Sequence, residues 1–153
     1  MKKIYNIILV ICCIAIFSCK KDQNQKLVSE IAGEYNIESF TKYRNGQATP
    51  VNFTKATINF ESCTLKDGIG GNCTGWYKFD DNPKVTFNYK PSKDYGFKDV
   101  YILGLSSFKE PELRGDFKFV QENGFLLLNG IENSGSVNGV VTTSYSDLKL
   151  IKK

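Results

Sequence analysis

Glu34-Tyr35-Asn36-Ile37-Glu38-Ser39-Phe40-Thr41-Lys42-Tyr43 decides the fold: Tyr35, Ile37 and Ser39 recur at every second residue among polar neighbours. Successive side chains of a strand point to opposite faces, so such a run has one face for a core and one for water. The same period recurs downstream: Ala56, Ile58 and Phe60; Trp76 and Lys78 against Tyr77 and Phe79; Val85, Phe87 and Tyr89; residues 100–105; Leu113, Phe117 and Phe119; residues 125–128; and residues 141–151. Turn-forming residues separate the runs: Asn45-Gly46, Asp80-Asp81-Asn82-Pro83, Glu122-Asn123-Gly124, and a Gly/Asn/Ser stretch over 129–139. Upstream, Leu27, Val28 and Ile31 share one face of a short helix over 26–32, stopped by Gly33. Eight short strands spaced too closely for crossover helices predict an antiparallel meander, and closure into a barrel or sandwich removes its exposed edges.

The first nineteen residues have another pattern. Lys2 and Lys3 precede an apolar stretch over 4–17, which Ile16-Phe17-Ser18-Cys19 closes. As a helix this stretch rises about 21 Å against roughly 30 Å of hydrocarbon, and Lys20-Lys21-Asp22 follow at once. It reads as a cleaved signal rather than a membrane span. Ending in a small residue before cysteine, it resembles the lipobox of bacterial lipoproteins. That resemblance implies cleavage after residue 18, lipidation of Cys19 as the mature N-terminus, and a lipid-anchored protein of the bacterial cell envelope. The outer membrane is the expected address, on its periplasmic or surface face. Three acyl chains would anchor such a protein stably, where one binds marginally. Residues 19–25 are then the lipidated cysteine and a polar tether, and residues 26–153 the folded domain.

Loss of eighteen residues leaves 135 of the 153, and losing Lys2 and Lys3 lowers the net charge from +4 to +2. That balance, without a Lys/Arg cluster, speaks against nucleic acid. The chain has no histidine, which removes the commonest general base and the Ser-His and Cys-His nucleophile systems. The expectation is a binding protein without catalysis, cofactor or metal. Cys12 and Cys13 leave with the signal, so Cys63 and Cys73 remain as an even pair across a turn-rich segment, which predicts a disulfide-stapled hairpin. Two thiolates do not complete a tetrahedral zinc shell. Asp80-Asp81 precedes Asn82-Pro83 and reads as a turn rather than a calcium pair.

Lys26-Leu27-Val28-Ser29-Glu30-Ile31-Ala32-Gly33-Glu34-Tyr35 resembles the opening of lipocalin-like (calycin) barrels, where a short helix runs into Gly-x-Trp at the first strand. Gly33 matches the glycine and Tyr35 stands at the tryptophan position. The resemblance implies an eight-stranded antiparallel up-and-down β-barrel with a short N-terminal helix, and a basic residue of the last strand over that ring, Lys149 or Lys152 here. Eighteen of the twenty aromatic residues survive the signal, enough to fill a barrel of eight strands or to wall a cavity. The expected task is binding of a small apolar ligand in the barrel or of an envelope partner at its rim. The alternative is a filled-barrel accessory or inhibitor protein acting by protein contacts alone. Alternating connections put residues 66–72, 90–98 and 121–124 at the helix end, beside the disulfide and tether. The mouth then falls on 44–55, 80–83, 106–112 and 129–139, with Arg44, Asp80, Asp81 and Lys109 as its candidate contacts. The charged residues of those four segments balance at −2, which disfavours anionic ligands and leaves neutral or cationic ones open.

Overall fold

The computed structural model describes residues 24–65, 72–93, 101–107, 109, 111–122, 124–137 and 140–153. The signal over 1–18, Cys19 and the tether up to residue 23 lie outside the described residues, as do 66–71 and 94–100. Strands β1 (Gly33–Arg44), β3 (Ala56–Phe60), β4 (Cys73–Phe79), β5 (Val85–Lys93), β6 (Tyr101–Ser106), β7 (Arg114–Glu122), β8 (Phe125–Gly130) and β10 (Val140–Lys152) neighbour one another in chain order. Every pairing is antiparallel, and β10 closes the barrel on β1 from Tyr35↔Lys152 to Arg44↔Ser144. All eight expected strands are present, in an up-and-down barrel with no sheet edge along its staves.

Two further strands stand where the sequence suggests only loop. Strand β2 (Gln47–Pro50) pairs with the end of β1, beyond β3 on the same edge. Strand β9 (Asn133–Val137) pairs likewise with the start of β10, beyond β8. Neither shows alternating hydrophobicity: β2 is exposed at all four residues, and residues 133–136 of β9 are exposed as well. Backbone bonding holds them, begun for β2 by a two-residue turn in which Asn45 (φ 49°) and Gly46 (φ 76°) both take positive φ. Strand β5 also runs to Lys93 through Pro91, four residues past the expected end at Tyr89.

Side chains fill the barrel. Tyr35, Phe40, Phe60, Tyr77, Phe79, Phe87, Tyr89, Phe117 and Phe119 are all buried, with Ile58, Leu103, Leu126, Leu128 and Leu150 between them. Phe60 meets Phe87 and Tyr89 edge-on at 5.6 and 5.2 Å, the geometry that ring quadrupoles favour. These rings crowd over Gly75, whose cross-strand partners are Phe60 and Phe87: a Cβ there would lie 2.5 Å from the Phe87 ring. Each such side chain contributes about 1.5–3 kcal/mol through apolar burial. The buried hydroxyls are also satisfied. Tyr89 donates to Glu61 O at 2.5 Å, and the Tyr77 hydroxyl lies 2.8 and 2.9 Å from the carbonyls of Lys109 and Pro111. Among the described residues no buried side-chain polar atom lacks a partner.

Candidate functional site

The two ends of the barrel differ. At one end a helix over 24–31 seals the core with Leu27, Val28 and Ile31. It includes residues 24 and 25, so the polar tether is shorter than the sequence suggests. Gln25 is docked: its side-chain amide donates to Cys63 O and accepts from the Leu65 N–H, both at 2.8 Å. That bonding joins the helix to the segment carrying Cys63 and Cys73, whose Cα atoms are 5.6 Å apart with the sulfurs within bonding distance.

Gly33 and Tyr35 lie at the same end. Gly33 enters β1 at φ +131°, a conformation that disfavours any side chain, with the Lys152 Cε 3.3 Å from where a Cβ would stand. Tyr35 is 2% exposed, packs edge-on to Phe60 at 5.9 Å and donates its hydroxyl to Ile31 O at 3.0 Å, which ties strand to helix. Burial raises its pKa. The basic residue over its ring is Lys152, at 5.8 Å. Lys149 is elsewhere, 3.1 Å from Glu38 and 4.2 Å over the Phe125 ring. Parity separates the two lysines: Leu148 and Leu150 point inward, so residue 152 shares their face and residue 149 does not.

The other end is also covered. Phe53 packs on Phe79 at 5.3 Å, Phe79 lies under Phe40 at 6.0 Å, and Tyr77 holds Lys109 and Pro111 across the barrel through their carbonyls. Asp80 is a turn residue at φ 49°, with its carboxylate accepting the Thr54 and Lys55 N–H groups at 2.7 and 2.9 Å. Among the described residues, these contacts cover this end of the lumen. The chain also forms a concavity of about 1040 Å³ with a mixed lining: Lys42, Arg44 and Thr49 of the β1–β2 hairpin, Ser144 and Ser146 of β10 and Arg114 of β7 stand beside the core residues Tyr89 and Leu105. Of the four residues expected at the mouth, Arg44 lines this concavity, while Asp80, Asp81 and Lys109 do not.

A β-bulge brings the hairpin's basic residues there. The β1–β10 register shifts between Ile37 and Ser39, so Ile37 and Phe40 are both buried while Glu38 and Ser39 are exposed. Lys42 and Arg44 thereby share the face of Phe40, and the Lys42 Nζ lies 5.8 Å over that ring. Tyr43 turns to the opposite face and stacks on its cross-strand partner Tyr145, with centroids 4.4 Å apart and planes 5° from parallel. Unbroken alternation from Tyr35 and Ile37 would have reversed these faces; the one trace of the bulge in the sequence is Phe40, an apolar residue three places after Ile37. The charge balance changes too. Among the residues lining the concavity Lys42, Arg44, Lys90 and Arg114 oppose only Glu112 and Asp116, so the site is cationic where the four loops counted together are acidic.

Lysine, arginine and hydroxyl side chains on three adjacent strands offer hydrogen-bond donors to an acceptor-rich ligand. Among the described residues no group of three His, Cys, Asp or Glu side chains is placed to hold a metal ion. No protein-family model, curated protein or solved structure matches this chain.

Proposed function

We propose that this chain is a lipid-anchored binding protein of the bacterial envelope, with a lipocalin-like barrel that engages its ligand or partner in the concavity lined by β1, β10 and the strands β5 to β7. The observation that carries this reading is the contrast between lumen and rim. Aromatic rings pack the interior and both ends are covered, whereas the concavity is open and lined by hydrogen-bonding groups. Ligand sites are concave and few per protein, and their convergent polar groups supply orientation. A small apolar ligand inside the barrel, one half of the expectation from sequence, finds no support in so filled a core. The lipocalin-like resemblance is supported by the closed eight-stranded barrel and by the helix that enters β1 at Gly33 beneath Tyr35. The address rests on residues 1–19: a tether over 20–23 spans at most about 14 Å, which would hold the helix end toward the membrane.

Site-specific photocrosslinking in the anchored protein tests the reading. A photoreactive residue at Ser144, inside the concavity, should yield a defined adduct, and one at Val120 on β7, 47% exposed and outside it, should not. Equal yields at both positions would refute a rim site. Cys19→Ser should release the protein from membranes, and retention of that variant in the membrane fraction would refute the lipid anchor.

A further inference from the structure

We infer that the concavity binds an organic anion, a solute bearing carboxylate or phosphate groups; this rests on the rim-binding reading and names the ligand class. Three observations combine.

The first is arrangement. Lys42 pairs across β2 with Thr49 and across β10 with Ser146, and Arg44 pairs with Ser144. Directly opposed residues on one face hold their Cβ atoms roughly 4.5–5.5 Å apart. Two cations and three hydroxyls therefore form one continuous donor patch on β2, β1 and β10, with Arg114 of β7 in the same lining. A guanidinium offers a planar fork that carboxylate and phosphate oxygens match, and hydroxyls donate to the remaining lone pairs.

The second is charge. Four basic residues face two acidic ones around the site, and Glu112 is already 3.9 Å from Arg114. Arg44 has no ion-pair partner among the described residues. A concave, cationic lining concentrates anions and repels cations. The third is size. About 1040 Å³ is ample for an organic polyanion and far more than one inorganic oxyanion needs.

Citrate, maltotriose, tetralysine and dihexanoylphosphatidylglycerol, titrated in turn into the isotope-labelled full chain in detergent, test the inference through backbone amide shifts. Citrate should shift the amides of 42–44 and 144–146 saturably, with an apparent Kd that rises several-fold between low and physiological salt. Arg44→Gln should weaken citrate binding about tenfold or more and leave the remaining amide pattern intact, while Arg44→Lys keeps part of the affinity. The short-chain phosphatidylglycerol presents the same charge on a lipid headgroup. An Arg44-dependent response to either anion supports the inference, and which probe acts identifies the source. Shifts at these amides from maltotriose or tetralysine, with none from either anion, would overturn the anionic class and leave the rim site standing. Citrate binding unchanged in Arg44→Gln, or no response to any probe, would also overturn it, and the photocrosslink at Ser144 would still report separately on the rim site.

Discussion

Truncating Tyr35 measures how far the helix and the barrel depend on each other. The side chain is 2% exposed, its ring meets Phe60 edge-on, Lys152 lies over it, and its hydroxyl reaches the helix at Ile31 O. Tyr35→Phe removes only the hydroxyl and should cost about 0.5–1.5 kcal/mol, the net worth of one hydrogen bond with its acceptor left beside an apolar edge. Tyr35→Ala also removes the ring. Buried large aromatics cost about 3–5 kcal/mol on truncation, since lost transfer energy and the residual cavity add. The ring alone should therefore account for some 2–4 kcal/mol. Urea titrations followed by circular dichroism and by the fluorescence of Trp76 give both values, and equal m-values keep the comparison valid. Because the lost hydroxyl bond joins strand to helix, amide exchange over 27–31 should accelerate in both variants, more in Tyr35→Ala. A cost below about 1 kcal/mol for Tyr35→Ala would refute the argument, because the ring would then not be an anchor of the sealed end. Equal costs for the two variants would show that the hydroxyl, and not packing, carries the site.

Three further outcomes are expected. Non-reducing peptide mapping should find Cys63 linked to Cys73, and Cys63→Ala should lower stability by about 2–3 kcal/mol, the loop-closure value for so short a span; two free thiols in envelope-derived protein would contradict it. Gly75→Ala should destabilise by about 1–3 kcal/mol or more in denaturant titration, because its methyl would meet both the Phe87 ring and Asn59 O at 2.5 Å, and a neutral effect would mean the core is looser than described. Burial, with Glu61 and Tyr35 adding to it, pushes the Tyr89 hydroxyl from its ordinary 10.0 up to about 12. The folded state thus keeps a proton that the unfolded chain releases, so this contribution to stability is complete below pH 10 and is lost as pH rises from 10 towards about 12. Thermal melts should show that decline, and Tyr89→Phe should show a shallower one.

The barrel was legible because its signal is redundant. Most of the eight staves have their own alternation, as in Ala56-Thr57-Ile58-Asn59-Phe60, where residues 56, 58 and 60 all lie buried against the core. Strand β8 has instead the apolar run Phe125-Leu126-Leu127-Leu128. Turn chemistry at Asn45-Gly46 and at Asp80 supplies the punctuation. What stayed hidden is held mainly by backbone bonding. Strand β2 is exposed at all four residues and β9 is Asn-Ser-Gly-Ser before its single apolar residue, Val137, so no alternating pattern marks either. Both exist because β1 and β10, twelve and thirteen residues long, outrun β3 and β8 and leave their backbone groups in need of partners. That length was readable in the chain; its consequence was not.

The candidate site was hidden for a related reason. Which β1 side chains share the face of Phe40 depends on a single inserted residue, and a one-residue slip exchanges the two faces of the rest of the strand. Tyr43 and Tyr145, on the other face, also border the concavity. With unbroken alternation Tyr43 would share the face of Ile37, and Lys42 and Arg44 would lie outside. With the bulge at Glu38, the tyrosine turns out to stack on Tyr145 and the two cations turn towards Ser144, Ser146 and Thr49. The bulge also relieves a conflict, because Glu38 and Ser39 stand together on the exposed side while Ile37 and Phe40 both keep their places in the core. A strand that buries residues three apart must break period two between them, so Ile37 and Phe40 together were the trace of the bulge. Seen from sequence they looked like one apolar residue in phase and one out of phase. The cationic character of the concavity follows from that local irregularity, and it reverses the sign given by adding up whole loops. Asp80 and Asp81 contribute to such a sum, yet the carboxylate of Asp80 is spent on the backbone N–H groups of residues 54 and 55, and neither residue reaches the lining.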